Sequence, residues 1–346
     1  MLHYIFRITI ITIAVTLAAL AAAIAVIPHP PKPDRFVYGT TFSKEFTERL
    51  SLDWKKTYLA ILNDLGITTI RLGAYWDDLE PEEGMFAFDD LDWQIAEAQK
   101  RGIGVMLAVG QKLPRWPECH YPAWFREGDD AYRRPLSGDE QEKLLRYMFV
   151  VLERYRDNSA VTHWQVENEP FLPFGICPPL DEAFFDRQIA LVRSRDTSRP
   201  LVISESGEFS TWMGAAKRSD ILGSTLYRVV WWKSTGYVRY PIPEWFYWKK
   251  IWLIRALYPH LKDLIAIELQ AEPWAHLQIY ENTIDEMMKS MHPAQFVENL
   301  RFARAARFGT QYVWGAEWWY WMKEIHHQPY YWDYAGGVFR GEIDPQ

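Results

Sequence analysis

Cysteine is scarce: Cys119 and Cys177 are the only two in 346 residues, and neither they nor the nine histidines fall at metal-finger spacing, which excludes a zinc-clip domain. Positive charge is also short. Lys and Arg number 38 against 45 Asp and Glu, a formal charge of −7, the wrong balance for a protein whose affinity rests on neutralising nucleic-acid phosphates. A glycine-rich dinucleotide turn is missing too, since the first strand-like run continues as GTTFSKEF (39–46). Aromatic residues are abundant instead, with 18 Trp, 19 Tyr and 18 Phe. That much ring surface serves either as core or as platforms on which flat ligands stack, and composition alone leaves both open.

Residues 8–27, ITIITIAVTLAALAAAIAVI, carry no charge over 20 positions, the length needed to span a bilayer as a helix. Arg7 precedes the run, which places the N-terminus in the cytoplasm. PHPPKPD (28–34) follows as a stiff spacer. Two outcomes stay open: an uncleaved signal anchor, favoured by length, or a secretory signal removed after Ala23-Ile24-Ala25. Both leave residues 28–346 outside the cytoplasm, either tethered by a single pass through the membrane or secreted. In an oxidising compartment Cys119 and Cys177 are expected to form a disulfide, the alternative being two independent thiols.

From residue 36 the chain alternates short apolar runs with amphipathic stretches. The runs are 36–42, 68–75, 104–110, 161–168, 201–206, 221–227, 264–270 and 310–316. Between them, Trp54, Tyr58, Ile61, Leu62 and Leu65 share one helical face closed by Gly66. Leu91, Ile95 and Ala98 mark a helix ended by Gly102, and Leu145, Met148, Leu152 and Tyr155 mark another. Further helices fall near 181–195, 244–257 and 293–308. Eight strands alternating with helices predict a (β/α)8 TIM barrel over 36–346 as one domain, preceded by an N-terminal hydrophobic helix (1–27) and a spacer (28–35). The last unit, 318–346, is aromatic and irregular. The segment 228–258 reads as a helix packed on the barrel or as an interfacial surface resting on a membrane.

Chemistry in such a barrel sits at the C-terminal ends of the strands. The fourth run leads into Asn168-Glu169-Pro170, and the seventh carries Glu268. Two carboxylates across a barrel mouth are what glycoside hydrolysis requires, one protonated beside the leaving oxygen and one ionised below the anomeric carbon. Arg71, at the end of the second run, is suited to be the counter-charge.

With those residues in place, the chain resembles the clan A retaining glycoside hydrolases, in particular the cellulase family 5 and β-galactosidase family 42 branches. Residues 70–110 and IELQ (267–270) are similar to the β-galactosidase branch, and QVENEP (165–170) to the cellulase branch. The resemblance implies a β-glycosidase with Glu169 as acid/base, Glu268 as nucleophile, Asn168 on the sugar 2-hydroxyl, Arg71 and Tyr227 beside the nucleophile, and Trp314 or Trp318 flooring the sugar subsite. It also sets Trp76 and Trp116 in the neighbouring loops. It calls for no metal or organic cofactor, and for an oligo- or polysaccharide substrate. Glu272, in Glu272-Pro273-Trp274, is an alternative nucleophile should the strand run longer. Gln270, if inward, and His120 are further candidates for contact with substrate. Glu167 shares a face with Glu169 by simple alternation, and Glu205 and Glu208 are candidate subsite residues. His163 reads as a core histidine, His326-His327 as no metal pair, and DDLEPEEG (77–84) as a solvated turn. A catalytically inactive barrel that binds glycan at the cell surface is the alternative function.

Overall fold

The structure, a computed structural model, describes residues 27–345 together with Phe6 and Thr9. The apolar run 8–27 therefore lies outside the described residues except at Thr9 and Ile27. Among the described residues no helix is long and apolar enough to cross a membrane.

Ten strands follow in chain order: β1 (Val37–Phe42), β2 (Thr69–Gly73), β3 (Gly104–Val109), β4 (Val161–Val166), β5 (Leu201–Glu205), β6 (Ile221–Leu226), β7 (Val229–Trp232), β8 (Gly236–Arg239), β9 (Asp263–Gln270) and β10 (Thr310–Trp314). Eight of them close a parallel barrel in the order β1-β2-β3-β4-β5-β6-β9-β10. Helices cover the outside. Trp54–Asp64 starts on the Asp53 side chain, which accepts from the Lys56 amide, and Gly138–Tyr155 starts on a Ser137–Glu140 capping box. Each buries most of the apolar stripe expected of it, with Tyr58, Ile61 and Leu62 on the first and Met148, Leu152 and Tyr155 on the second, while Trp54 and Leu145 are only partly buried.

Two segments depart from the sequence expectation. Part of 228–258 is not helical: β7 and β8 form a two-stranded antiparallel hairpin, and only Glu244–Leu257 is helix. The irregular last unit is two helices, Ala316–Glu324 and Tyr330–Phe339. Their rings make the core, Trp318 packing 4.6 Å from Tyr331 and Trp319 5.4 Å from Phe296 between centroids.

The barrel interior is sealed by an apolar cluster of Met106, Val202, Ile221, Ile265, Ile267 and Tyr312. Two residues further along β5 and β10, on the same face, come Ser204 and Trp314, so the filling turns polar towards the mouth. Strand β9 breaks the alternation. Against β6, one step from Ser224 to Thr225 spans two residues of β9, Ala266 to Glu268. Against β10, two steps from Gln311 to Val313 span three, Ala266 to Leu269. Both neighbours thus place one extra residue in β9. This bulge lets Ile265 and Ile267 face inward and still turns Glu268, which strict alternation would send to the helical layer, into the barrel.

Cys119 and Cys177 are bonded, with Cα atoms 5.4 Å apart and a sequence separation of 58. The bond ties the loop after β3 to the loop after β4. Replacing both cysteines by serine should cost about 2–4 kcal/mol of stability. Thermal unfolding with and without a reductant checks this: the native chain should lose several degrees of Tm on reduction and the double variant none.

Candidate active site

The centre of the mouth is Arg71. Its guanidinium is fully buried and donates in three directions: Nη1 to Glu268 Oε1, Nη2 to Asn168 Oδ1 and Nε to Gln165 Oε1, each at 2.7 Å. A buried cation without such partners would be strongly destabilising, so β2 is locked to β4 and to β9 through one side chain. The Tyr227 hydroxyl donates to the other Glu268 oxygen at 3.0 Å. Both oxygens of Glu268 are therefore held by donors.

Glu169 sits differently. The chain leaves β4 at Val166, and both Glu167 (φ 57°) and Glu169 (φ 41°) take left-handed backbone conformations that are costly for a side chain of this size. Lys112 Nζ secures the turn by donating to the carbonyls of Glu169 at 3.0 Å and Leu172 at 2.8 Å. The Glu169 amide donates to Ser204 Oγ at 2.9 Å, and Thr225 Oγ1 donates to Glu169 Oε1 at 3.1 Å. Thr225 is the residue of β6 registered against Glu268, so one threonine links the two glutamates. Burial pushes the Glu169 carboxyl well above the usual carboxylate range, and the negative charge of Glu268 pushes it further.

Asn168 is clamped from three sides. Its Oδ1 accepts from Arg71 and from Ser204 Oγ at 3.1 Å, and its Nδ2 donates to Glu118 Oε2 at 3.2 Å. Glu118 is a third buried carboxyl at the mouth, pushed up to about 7 chiefly by burial. Trp314 lies at the edge of the same site and donates to Glu272 Oε1 at 2.7 Å. Glu272, the alternative nucleophile, is an ion-pair partner of Arg115, which also reaches Glu317 at 3.1 Å. Glu272 and Glu268 thus belong to different networks, and only Glu268 shares Arg71 and Thr225 with the Glu169 turn.

Several expected site residues are elsewhere. Trp318 is fully buried in the core and has no face to offer a sugar. Trp76 is fully buried as well, stacked 5.2 Å from Tyr147 with its indole nitrogen on Glu80, because it opens a short helix rather than a loop. Gln270 faces the hairpin: its Oε1 accepts the amides of Arg228 and Val229, and its Nε2 donates to the Val229 carbonyl. His120 is buried 3.6 Å from Asp77 and 4.6 Å from the Tyr75 ring. Glu167 turns away from the mouth and accepts the amides of Gln111 and Lys112 where simple alternation would have paired it with Glu169. Glu205 accepts the Ala215 amide, and Glu208 holds the Tyr227 amide and the Tyr247 hydroxyl. The DDLEPEEG turn is not wholly solvated, since Glu80 is buried and paired with Arg146. Half-buried His163 bonds to its neighbour Thr162. Among the described residues no cluster of His, Cys, Asp and Glu is arranged to hold a metal ion.

Sequence reasoning missed Lys112, Glu118, Ser204, Thr225 and Trp274. The signal for Thr225 and Ser204 was their place one or two residues before the end of a strand. Lys112 and Glu118 lie on a loop, where spacing carries no orientation. Trp274 stands edge-on to Tyr227 at 5.1 Å and leads through Phe174 to exposed Trp116, a row of rings running from the rim to Glu268.

These features define a (β/α)8 barrel with an arginine-centred, carboxylate-lined mouth. Residues 48–187 match the family profile described as Beta-galactosidase, glycoside hydrolase 42. The β-galactosidase Pbg of Clostridium perfringens is 35% identical over 172 residues, which is 46% of this chain and 24% of that protein. The β-galactosidase BglY of Alicyclobacillus acidocaldarius is 33% identical over 129 residues, 33% of this chain and 18% of the relative. The chain thus spans a quarter or less of these relatives. In fold it is similar to the exo-β-1,4-mannosidase Op5Man5 from Opitutaceae bacterium strain TAV5, with a TM-score of 0.57 at 14% identity over 89% of this chain and 59% of that one. It is likewise similar to the cold-adapted β-galactosidase of Rahnella sp. R3, with a TM-score of 0.53 at 16% identity over 82% and 51% of the two chains. The resemblance to clan A glycosidases therefore holds in sequence over the first half of the barrel and in fold over the whole of it.

Glu118, Glu167 and Glu208 each rise to about 7 through burial, from an ordinary 4.5. The folded chain binds their protons more tightly than the unfolded one. Their contribution is complete below 4.5 and is lost as pH climbs through 7. Tm should fall by several degrees between pH 5 and pH 8, and Glu118→Gln should flatten part of that slope. An unchanged slope in Glu118→Gln refutes the assignment.

Proposed function

We propose that the chain is a retaining β-glycosidase in which Glu169 is the acid/base and Glu268 the nucleophile. The observation that carries this reading is the contrast between the two environments. Glu268 has a donor on each oxygen and a guanidinium beside it, while Glu169 is buried, faces a neighbouring negative charge and is driven to keep its proton. That is the division of labour a double displacement needs.

The sequence of events follows from it. Glu169 passes its proton to the glycosidic oxygen as the bond from that oxygen to the anomeric carbon breaks, and Glu268 attacks the same carbon to form a glycosyl ester. Glu169, now a carboxylate, takes a proton from water as the water oxygen attacks the anomeric carbon, and Glu268 leaves. Arg71 and Tyr227 hold the nucleophile in line throughout. Asn168, fixed through Oδ1 by Arg71 and Ser204 and through Nδ2 by Glu118, is the residue that meets the sugar. The row of rings from Tyr227 to Trp116 offers apolar faces for the sugars beyond the scissile bond. The curated relatives carry the name β-galactosidase, which puts β-galactosides first among candidate substrates. The disulfide fits residues 28–346 working outside the cytoplasm, secreted or tethered by the run 8–27.

A screen of aryl β-glycosides with the full chain tests the reading. Turnover should appear on at least one sugar, with the basic limb of the pH profile set by Glu169, activity falling as pH rises and that proton is lost. Glu268→Gln should abolish turnover. Glu169→Ala should lower it about 10²–10⁴-fold on substrates needing a proton on the leaving group, and added azide should restore product release as a β-glycosyl azide. Saccharide binding without any turnover in the native chain would sink the proposal and favour a non-catalytic barrel.

A further inference from the structure

The helix Glu244–Leu257 follows the hairpin and leads into β9, and its outer face is the wrong kind for water. Tyr247, Trp248 and Ile254 bury the inner stripe. On the opposite side Trp245, Lys249, Trp252 and Ala256 recur at helical spacing, flanked by Leu253 and Leu257. Trp245 is 47% exposed, Trp252 44%, Leu253 47% and Leu257 53%, and Trp232 of the adjoining hairpin is 45% exposed. A surface helix ordinarily turns charge outward, as Gly138–Tyr155 does with Glu142 and Arg154. Here the outward stripe is mostly apolar and aromatic, broken by Lys249, and scattered exposure does not account for it.

The charge around this face is also out of character. Residues 228–262 hold seven Lys and Arg against one Glu, in a chain whose net charge is −7. Arg239 and Arg255 pair with Glu298 and Asp263. Among the described residues Lys233, Lys249 and Lys262 have no carboxylate partner. Lys249 instead lies over the rings of Trp245 at 5.1 Å and Trp248 at 5.4 Å.

The N-terminal spacer comes to the same place. The His29 ring stands 4.7 Å from Trp248, and Arg307 donates to His29 Nδ1 at 3.3 Å. The chain that leads from the uncharged run 8–27 is therefore docked on the inner edge of the helix whose outer edge is apolar and basic.

We propose that the outer face of Glu244–Leu257, with Trp232 and Lys233 of the hairpin, is a docking surface for a lipid bilayer carrying anionic headgroups. The tryptophans and leucines enter the boundary between headgroup and acyl chain, and Lys233, Lys249 and Lys262 meet the lipid phosphates. The helix lies along the flank of the barrel, so docking there leaves the mouth at the ends of the strands open to solvent and to substrate.

The test uses the full chain with a nitroxide attached at Leu253→Cys, the native cysteines being paired. The control carries the nitroxide at Lys100→Cys, on the helix Asp89–Lys100 at the opposite side of the barrel. Collision rates with oxygen and with an aqueous nickel complex are measured on vesicles of phosphatidylcholine with about 30% phosphatidylglycerol, and on phosphatidylcholine alone. At position 253 the ratio of oxygen to nickel collisions should rise about threefold or more on the anionic vesicles and less on the neutral ones, with position 100 unmoved. Lys233→Glu with Lys249→Glu should erase the difference between the two lipids. A label at 253 that stays as open to nickel as the control, even on chain bound to the vesicle through residues 8–27, overturns the proposal. So does shielding that appears without lipid and grows with protein concentration, which would make the face a contact between copies of the chain.

Discussion

A guanidinium cannot be buried without acceptors, and Arg71 is buried completely. Its five N–H groups force Gln165 and Asn168 from one strand end and Glu268 from another to converge on a single plane. Removing it would leave Glu268 as an uncompensated charge in the barrel, and Asn168 would lose the contact that fixes its amide. The cost of breaking a buried pair of this kind is about 3–5 kcal/mol. The same contact that closes the top of the barrel therefore sets the position of the proposed nucleophile. Fold and site share one dependency.

The charge balance of the mouth follows from that contact. Three carboxyls, Glu118, Glu169 and Glu268, are buried there with two cations, Arg71 and Lys112. Arg71 gives its charge-assisted bond to Glu268. Lys112 spends its hydrogen bonds on the backbone carbonyls of Glu169 and Leu172, not on a carboxylate. One carboxylate is thus matched by a direct partner, and the other two carry the cost of burial largely unrelieved. Their upward displacement is the consequence. Burial first, and then a second carboxylate that has already taken the arginine, push the Glu169 carboxyl up without any unusual residue.

The barrel was legible because short apolar runs separated by helical faces admit few topologies, and six of the seven segments between the eight runs carried a helical stretch. Glu169, Glu268, Arg71 and Tyr227 were legible as strand-end residues. What the pattern could not supply was the side on which a residue points once alternation breaks. Glu268 faces the mouth through a bulge in β9 that no propensity marks, and Glu167 faces away through a left-handed turn. Gln270 lies two residues beyond Glu268 on the same strand, and the backbone of Arg228 and Val229 in the hairpin takes its amide. The hairpin escaped detection since VVWW and GYVR are as compatible with the start of a buried helix as with a short edge pair. Trp76 and Trp318 were misplaced for a simpler reason: a tryptophan beside a strand end is core when a helix begins at once, and both stand in the first turn of one.

The aromatic excess then separates by what each ring faces. Trp76, Trp164, Trp212, Trp318 and Trp319 are buried and fill the space between barrel and helices. Trp274 and Trp116 line the way from Glu268 to the rim, where a ring must be half-open to meet a flat apolar face of a sugar, whereas Trp314 is buried between Glu272 and the guanidinium of Arg115. Trp232, Trp245 and Trp252 stand on the outside, where neither protein nor a sugar cleft covers them. A ring with an apolar body and one polar tip is costly in plain water and well matched to the boundary of a bilayer. The first two groups are accounted for by folding and by the site. The third needs a surface, and the basic residues around it select one of opposite charge.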